Sequence, residues 1–144
     1  MKRTLAVLAT TTLLSGLLVG TASAEPRECR SWDLVGAATF TGSVPRTTVA
    51  APVGGGSIKL EGGRRNRDGA SVVWAHHFGG RAGHKSVWMD VSFNRGASWI
   101  QCGPFETWGD SVDSRIHVTS PDPAWKMRAC GWYEGGSSVC SRWY

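Results

Sequence analysis

The sequence predicts an all-β single domain, a sandwich or small barrel of about eight short strands, cross-linked by two disulfides. Three observations carry this. Apolar residues recur with period two over several short runs, the pattern of half-buried strands. Val87, Met89 and Val91 alternate with Trp88, Asp90 and Ser92 in the clearest of them. The 19 glycines are spread along the chain and suit many tight turns, and no strong helix-forming run follows Ala24. All four cysteines, Cys29, Cys102, Cys130 and Cys140, lie beyond Ala24, an even number in a segment that reads as exported.

Residues 1–24 read as a signal peptide. Lys2 and Arg3 form a positive start, Leu5 to Val19 an apolar stretch, and Ala22-Ser23-Ala24 a small-x-small cleavage site. An uncleaved anchor is the alternative, but Thr10 to Thr12, Ser15 and Gly16 interrupt the apolar stretch and leave it short of a spanning helix. Residues 25–144 then form one secreted domain with no membrane span, large enough to bury about two-thirds of its unfolded surface. The formal net charge of +5 falls to +3 when Lys2 and Arg3 leave with the leader. So mild an excess argues against a nucleic-acid partner.

Along the chain, Trp32 to Phe40 is the first strand candidate, with Gly36-Ala37-Ala38 as a bulge or close-packing point. Thr41 to Pro45 reads as a turn. Arg46 to Val53 is rich in β-branched residues, and Pro45 and Pro52 place it at a sheet edge. Gly54-Gly55-Gly56 breaks it, and Ser57 to Glu61 alternates again. Gly62 to Gly69 is a basic loop holding Arg64, Arg65 and Arg67 beside Asn66 and Asp68. Ser71 to Phe78 is a strong strand. Its Val72, Trp74, His76 and Phe78 share one face and Val73, Ala75 and His77 the other, so His76 and His77 cannot readily bind one metal. After Phe105, Glu106 to Asp110 reads as a loop and Val112 to Thr119 as a strand ended by Pro121-Asp122-Pro123. Trp125 to Tyr133 and Val139 to Tyr144 form a last hairpin about Gly135-Gly136. That turn favours a Cys130–Cys140 bridge out of three possible connectivities, leaving Cys29–Cys102; a zinc site is the rival, without a Cys-x-x-Cys pair to support it.

Between the run ending at Ser92 and the run Ser98 to Cys102, Asn94-Arg95-Gly96 supplies turn chemistry. An Asn side chain accepts hydrogen bonds from loop amides, and glycine tolerates positive φ. The order Ser92-x-Asn94-x-Gly96-x-Ser98-Trp99 resembles the Asp-box, a hairpin-loop signature written Ser-x-Asp-x-Gly-x-Ser/Thr-Trp. Asn94 stands where Asp is usual; it keeps the acceptor oxygen and loses the charge. The resemblance implies a turn with Trp99 folded back over its own loop, and no catalysis. A single copy in a chain this short does not make a propeller. The combination of Trp88-Met89-Asp90-x-Ser92, Gln101-Cys102-Gly103-Pro104-Phe105, Arg128-Ala129-Cys130-Gly131 and Cys140-x-x-Trp143 is similar to small exported actinobacterial-type proteins. That likeness implies an exported compartment and disulfides, and carries no activity.

Catalytic constellations are thin. His76, His77, His84 and His117 are available as bases, yet no Gly-x-Ser-x-Gly elbow is present. Asp90 and Glu106, flanking Trp88 and Trp108, are the best-placed carboxylate pair for glycoside hydrolysis, but the preferred reading is a solvent-facing or turn-bonded strand residue and a loop charge. Glu106, Arg115 and His117 supply the Glu–Arg–His set of a small secreted hydrolase, ribonuclease- or glycosidase-like, which is the alternative function. The eight tryptophans ask for an account of their own. Trp74, Trp88 and Trp99 are expected in the core, while Trp108, Trp125, Trp132 and Trp143 sit near turns or the chain end. Large rigid rings with one donor suit sugar stacking and protein interfaces. The expectation is therefore a secreted, monomeric, non-catalytic binding protein that needs no cofactor or metal. It would contact an extracellular polysaccharide or protein through Trp108, Trp125 and Trp132, with Arg64, Arg65 and Arg67 as an electrostatic rim.

Overall fold

The computed structural model describes residues 26–30, 32–35 and 40–144. The leader, 1–24, and the Gly36-Ala37-Ala38 stretch lie outside the described residues. Among the described residues, nine strands follow a single helical turn at Arg27–Arg30: β1 (Phe40–Ala50), β2 (Ser57–Arg65), β3 (Ser71–Phe78), β4 (Lys85–Ser92), β5 (Ile100–Thr107), β6 (Ser111–Asp113), β7 (His117–Val118), β8 (Lys126–Tyr133) and β9 (Val139–Cys140). They form two antiparallel sheets. One runs β1-β2-β3, with both β6 and β7 along the far side of β3; the other runs β5-β4-β8-β9.

The period-two runs decide which faces meet. Ile58 and Leu60 of β2 and Val73 and Ala75 of β3 turn inward from the first sheet. Val87, Met89 and Val91 of β4 and Met127, Ala129 and Tyr133 of β8 meet them from the second. Each fully buried aliphatic side chain stabilises the stack by about 1.5–3 kcal/mol. Gly131 lets the sheets close: a methyl group there would stand 2.7 Å from Ile58 Cδ1 and 2.7 Å from the Ser86 carbonyl. The opposite face of the first sheet has its own apolar cover, where Val72, Trp74 and Ile116 pack with Val35, Phe40 and Val118. Both faces of β3 are thus occupied, in the two sets its alternation separates. His77 goes inside, with its ring nitrogens 3.1 Å from the Ser86 carbonyl and 2.9 Å from the Gly55 carbonyl. His76 goes outside, 2.6 Å from Asp113.

Both disulfides form as the cysteine spacing favoured. Cys130 and Cys140 face each other across β8 and β9. Cys29–Cys102 ties the first helical turn to β5 across 73 residues. No cysteine is left free, so none is available as a zinc thiolate.

Several local expectations are corrected. Thr41 to Pro45 is part of β1 and not a turn: register shifts at Thr41/Val44 and Pro45/Thr47 pass over Gly42, Ser43 and Arg46, as an edge strand can. The β-branched run ends at Ala50, and Pro52–Gly54 is a short 3-10 turn. Trp32 to Val35 is not strand; Asp33 makes a lone bridge to Ile116. Arg64 and Arg65 belong to β2, and Glu106 to β5. The single strand expected from Val112 to Thr119 is two pieces. Ser114 interrupts it, donating its N–H to the Ala75 carbonyl while its hydroxyl accepts the Ala75 N–H, both at 2.8 Å. Trp99 is the largest departure: it is half exposed and not in the core.

Candidate functional site

The N-terminal segment makes one wall of a groove. The Cys29 disulfide fixes the first helical turn, and the Trp32 N–H donates to the Cys29 carbonyl at 3.2 Å. Two bonds then lay this segment over the β6–β7 junction. The Ile116 N–H donates to the Asp33 carbonyl at 2.7 Å, and Arg115 Nη1 reaches the Trp32 carbonyl at 3.3 Å. The other wall is the turn before β8. Asp122 Oδ1 accepts the Ala124 N–H at 2.8 Å, and the Trp125 N–H donates to the Asp122 carbonyl at 3.0 Å, so Trp125 is presented by a closed turn.

Between these walls lies a cavity of about 380 Å³, lined among others by Trp32, Asp33, Arg65, His117, Ser120 and Trp125. The His117 ring meets Trp32 edge-on, centroids 4.0 Å apart, and lies tilted 5.8 Å from Trp125. A second cavity of about 310 Å³ shares Thr119, Ser120, Pro121 and Trp125 with the first and extends toward Lys126 and Tyr144. The two adjoin at Trp125 and make one groove with Trp32, Trp125 and Tyr144 along it.

The charges around this groove are paired internally. Arg65 binds Asp68 through Nε, at 3.0 Å, and through Nη2; its Nη1 is 3.4 Å from Asp33 Oδ2. Arg67 Nη2 lies 3.2 Å from the same Asp33 oxygen. The Arg65 hydrogen bonds, with the Ala70 N–H, hold the Asp68 carboxyl down to about 2, and Asp68 in return raises Arg65. Arg64 turns back within its own hairpin, donating to the Gly69 carbonyl at 3.1 Å. Arg65 and Arg67 are therefore paired with carboxylates, and Arg64 is turned back onto a backbone carbonyl, so the three arginines do not form an open positive patch. Burial pushes His117 down to about 4, against a smaller opposing pull from the Val118 backbone. Its Nδ1 is buried and has no hydrogen-bond partner. The floor of the groove is thus a neutral imidazole between two indoles.

The structure divides the expected contact residues between two places. Trp125 and Arg65 line the groove. Trp108 and Trp132 gather instead around His84, at 4.8 and 5.3 Å between ring centroids. Trp125 directly precedes β8 and Trp132 lies near its far end, seven residues on, about 23 Å along an extended strand. Glu106 is with the second group, 3.3 Å from His84 Nε2, and does not line the cavity that holds His117. Arg115 is occupied with the Arg30 and Trp32 carbonyls. Trp32, Asp33, His84 and Tyr144 were not singled out for binding by the sequence reading. For Trp32 the usable signal was its place three residues beyond Cys29, a residue that had to be tethered.

Among the described residues no helix is long and apolar enough to cross a membrane. The one cluster with metal-ligand spacing among them, Asp90 with Cys130 and Cys140, has both sulfurs tied up in the disulfide. Compared with protein-family models, curated proteins and solved structures, the chain matches none.

Proposed function

We propose that this chain is an exported, non-catalytic binding protein that holds an extracellular polysaccharide in the groove around Trp125. The observation that carries this reading is that Trp32 and Trp125 line one cavity together with the Asp33–Arg65 pair. Indole rings offer the apolar C–H faces of a pyranose a large rigid contact, and the adjacent carboxylate, guanidinium and Ser120 hydroxyl can bond its hydroxyls. A volume of about 380 Å³ falls within the range of about 300–1,000 Å³ typical of small-ligand clefts. The ion pairing of Arg65 and Arg67 with Asp33 and Asp68 favours a neutral polymer over a phosphate-bearing one. The two disulfides support export, because such bonds persist in oxidising compartments.

A pull-down of the protein on insoluble cell wall, chitin and cellulose tests this. Retention is expected on at least one matrix, and Trp125→Ala should lose it with an unchanged circular dichroism spectrum. No retention on any matrix refutes the polysaccharide reading. Release of soluble fragments by the parent, lost in both Glu106→Gln and His117→Ala, would replace binding with hydrolysis.

A further inference from the structure

The end of the molecule remote from Trp125 presents a tryptophan that is exposed yet held. Trp108 leaves 71% of its surface to solvent. One face of its indole lies on the His84 ring, planes 12° apart, so the opposite face is open to water. His84 is fixed in turn. Its Nε2 lies 3.3 Å from Glu106 Oε2, its backbone N–H donates to Glu134 Oε2 at 3.2 Å, and Trp132 stands against it at 81°.

The loop carrying Trp108 is pinned as well. The Gly109 N–H donates to Thr107 Oγ1 at 2.9 Å. Lys85, a fully buried lysine, sends Nζ to the Gly109 carbonyl at 3.3 Å and to the Arg81 carbonyl at 2.9 Å, tying that loop to the one before β4. An ammonium spent on two loop carbonyls explains the burial of Lys85. The consequence is a stacking surface whose ordering entropy is already lost before any ligand arrives.

Its charge runs against that of the chain. The formal net charge of the whole is +5, but Glu106 and Glu134 flank His84, and both are exposed. Apart from the His84 imidazole that meets Glu106, the basic groups nearby are otherwise placed: Lys85 Nζ is underneath, and the Arg81 side chain runs beside Gly54, its Nε 3.5 Å from where a Gly54 side chain would begin.

We propose that this platform is a second binding site, for a sugar residue bearing a free amino group. The apolar face of the ring lies on Trp108, and the ammonium faces Glu106 and Glu134. A neutral sugar would stack on the indole equally well; the two carboxylates favour the cationic one. The site is separate from the groove by the length of β8, so one molecule offers two contacts to a polymer, and their combined retention exceeds that of either.

Chitin and chitosan beads test this, because they share a backbone and differ in whether the amine is acetylated. A net positive protein is repelled by a polycation, so preference for chitosan reports a local acidic site. The parent should be retained on chitosan about tenfold better than on chitin at low salt, with the preference erased at high salt. Trp108→Ala and Glu106→Gln should each abolish the preference, and Trp125→Ala should keep it. The 71% exposure of Trp108 predicts an unchanged melting temperature for Trp108→Ala. Equal retention on the two polymers, or a preference that survives in Trp108→Ala, overturns the proposal and leaves the groove untouched. Loss of retention on chitosan in Trp125→Ala overturns it too, since the platform would then hold nothing alone. Oligolysine displacing the protein more strongly than glucosamine oligomers would reassign the platform to a protein partner.

Discussion

Arg128 lies on the buried carboxylate of Asp90, with Nε and Nη2 each 2.9 Å from Asp90 Oδ2. The same guanidinium carbon sits 4.4 Å from the Trp143 ring centroid and 4.9 Å from that of Trp99. The two residues are directly opposed in the β4–β8 register, on the face turned away from the core. This arrangement accounts for Trp99: its ring covers a charge from outside and does not fill the interior. It also brings Asp90 Oδ2 within 3.3 Å of the Cys130 sulfur.

Removing the guanidinium should be costly. Burial raises the Asp90 carboxyl above its ordinary range, and Arg128 is the main group opposing that rise. Arg128→Ala leaves a buried, uncompensated carboxylate and should lower stability by about 3–5 kcal/mol at neutral pH. Urea unfolding measures it. The deficit should shrink in acid, where Asp90 is protonated and needs no partner. Arg128→Lys should recover only part of the loss, because an ammonium cannot both pair and stack as the planar group does.

His117 predicts an acid-sensitive fold. Its folded value of about 4 lies below the ordinary 6.5, so the unfolded chain binds the proton first as pH falls. Stability from this group is intact above about 6.5, declines as pH falls, and is fully lost near 4. Thermal unfolding across that interval should show the slope, amounting to no more than about 3 kcal/mol, and His117→Phe should flatten it. A slope unchanged in the variant would assign the acid sensitivity to other groups.

The two disulfides should differ in weight. Cys29–Cys102 closes a span of 73 residues and Cys130–Cys140 one of 10. Chain entropy alone then makes the first worth about 4 kcal/mol and the second about 3. The Cys29→Ser/Cys102→Ser pair has a further consequence, since that bridge positions Trp32. Retention on polysaccharide should fall in that variant even below its melting temperature, and should survive in Cys130→Ser/Cys140→Ser.

The β4–β5 turn depends on one amide. Asn94 Oδ1 accepts the Ser98 N–H at 2.9 Å and the Ser92 hydroxyl at 2.9 Å, while Nδ2 donates to Ser98 Oγ at 2.8 Å. Asn94→Ala removes all three and should cost about 1–2 kcal/mol. Asn94→Asp keeps both acceptor bonds and should be closer to the parent. Chemical denaturation of the two variants side by side checks the order.

Local chemistry accounts for what could be read directly. The alternation from Ser71 to Phe78 sets β3 and its two faces. Val87, Met89 and Val91 point into the core as their spacing requires, since adjacent strand residues must diverge. The turn at Gly135-Gly136 brings Cys130 opposite Cys140. These are contacts within a strand or across one turn, where sequence separation is small and the backbone period is dictated by covalent geometry.

The sequence by itself therefore determined an all-β chain, its principal hairpins, the inward aliphatic side chains and the favoured pairing of its sulfurs. Only the tertiary structure decided where the tryptophans and charges act. Asp33 comes 32 positions through the chain to join Asp68 on Arg65, Trp32 and Trp125 line one cavity, and Trp99 shields Arg128 instead of entering the core. The physical reason is that electrostatic pairing and ring packing depend on distance in space, which strand order and the Cys29–Cys102 closure set, and no periodicity along the chain encodes them.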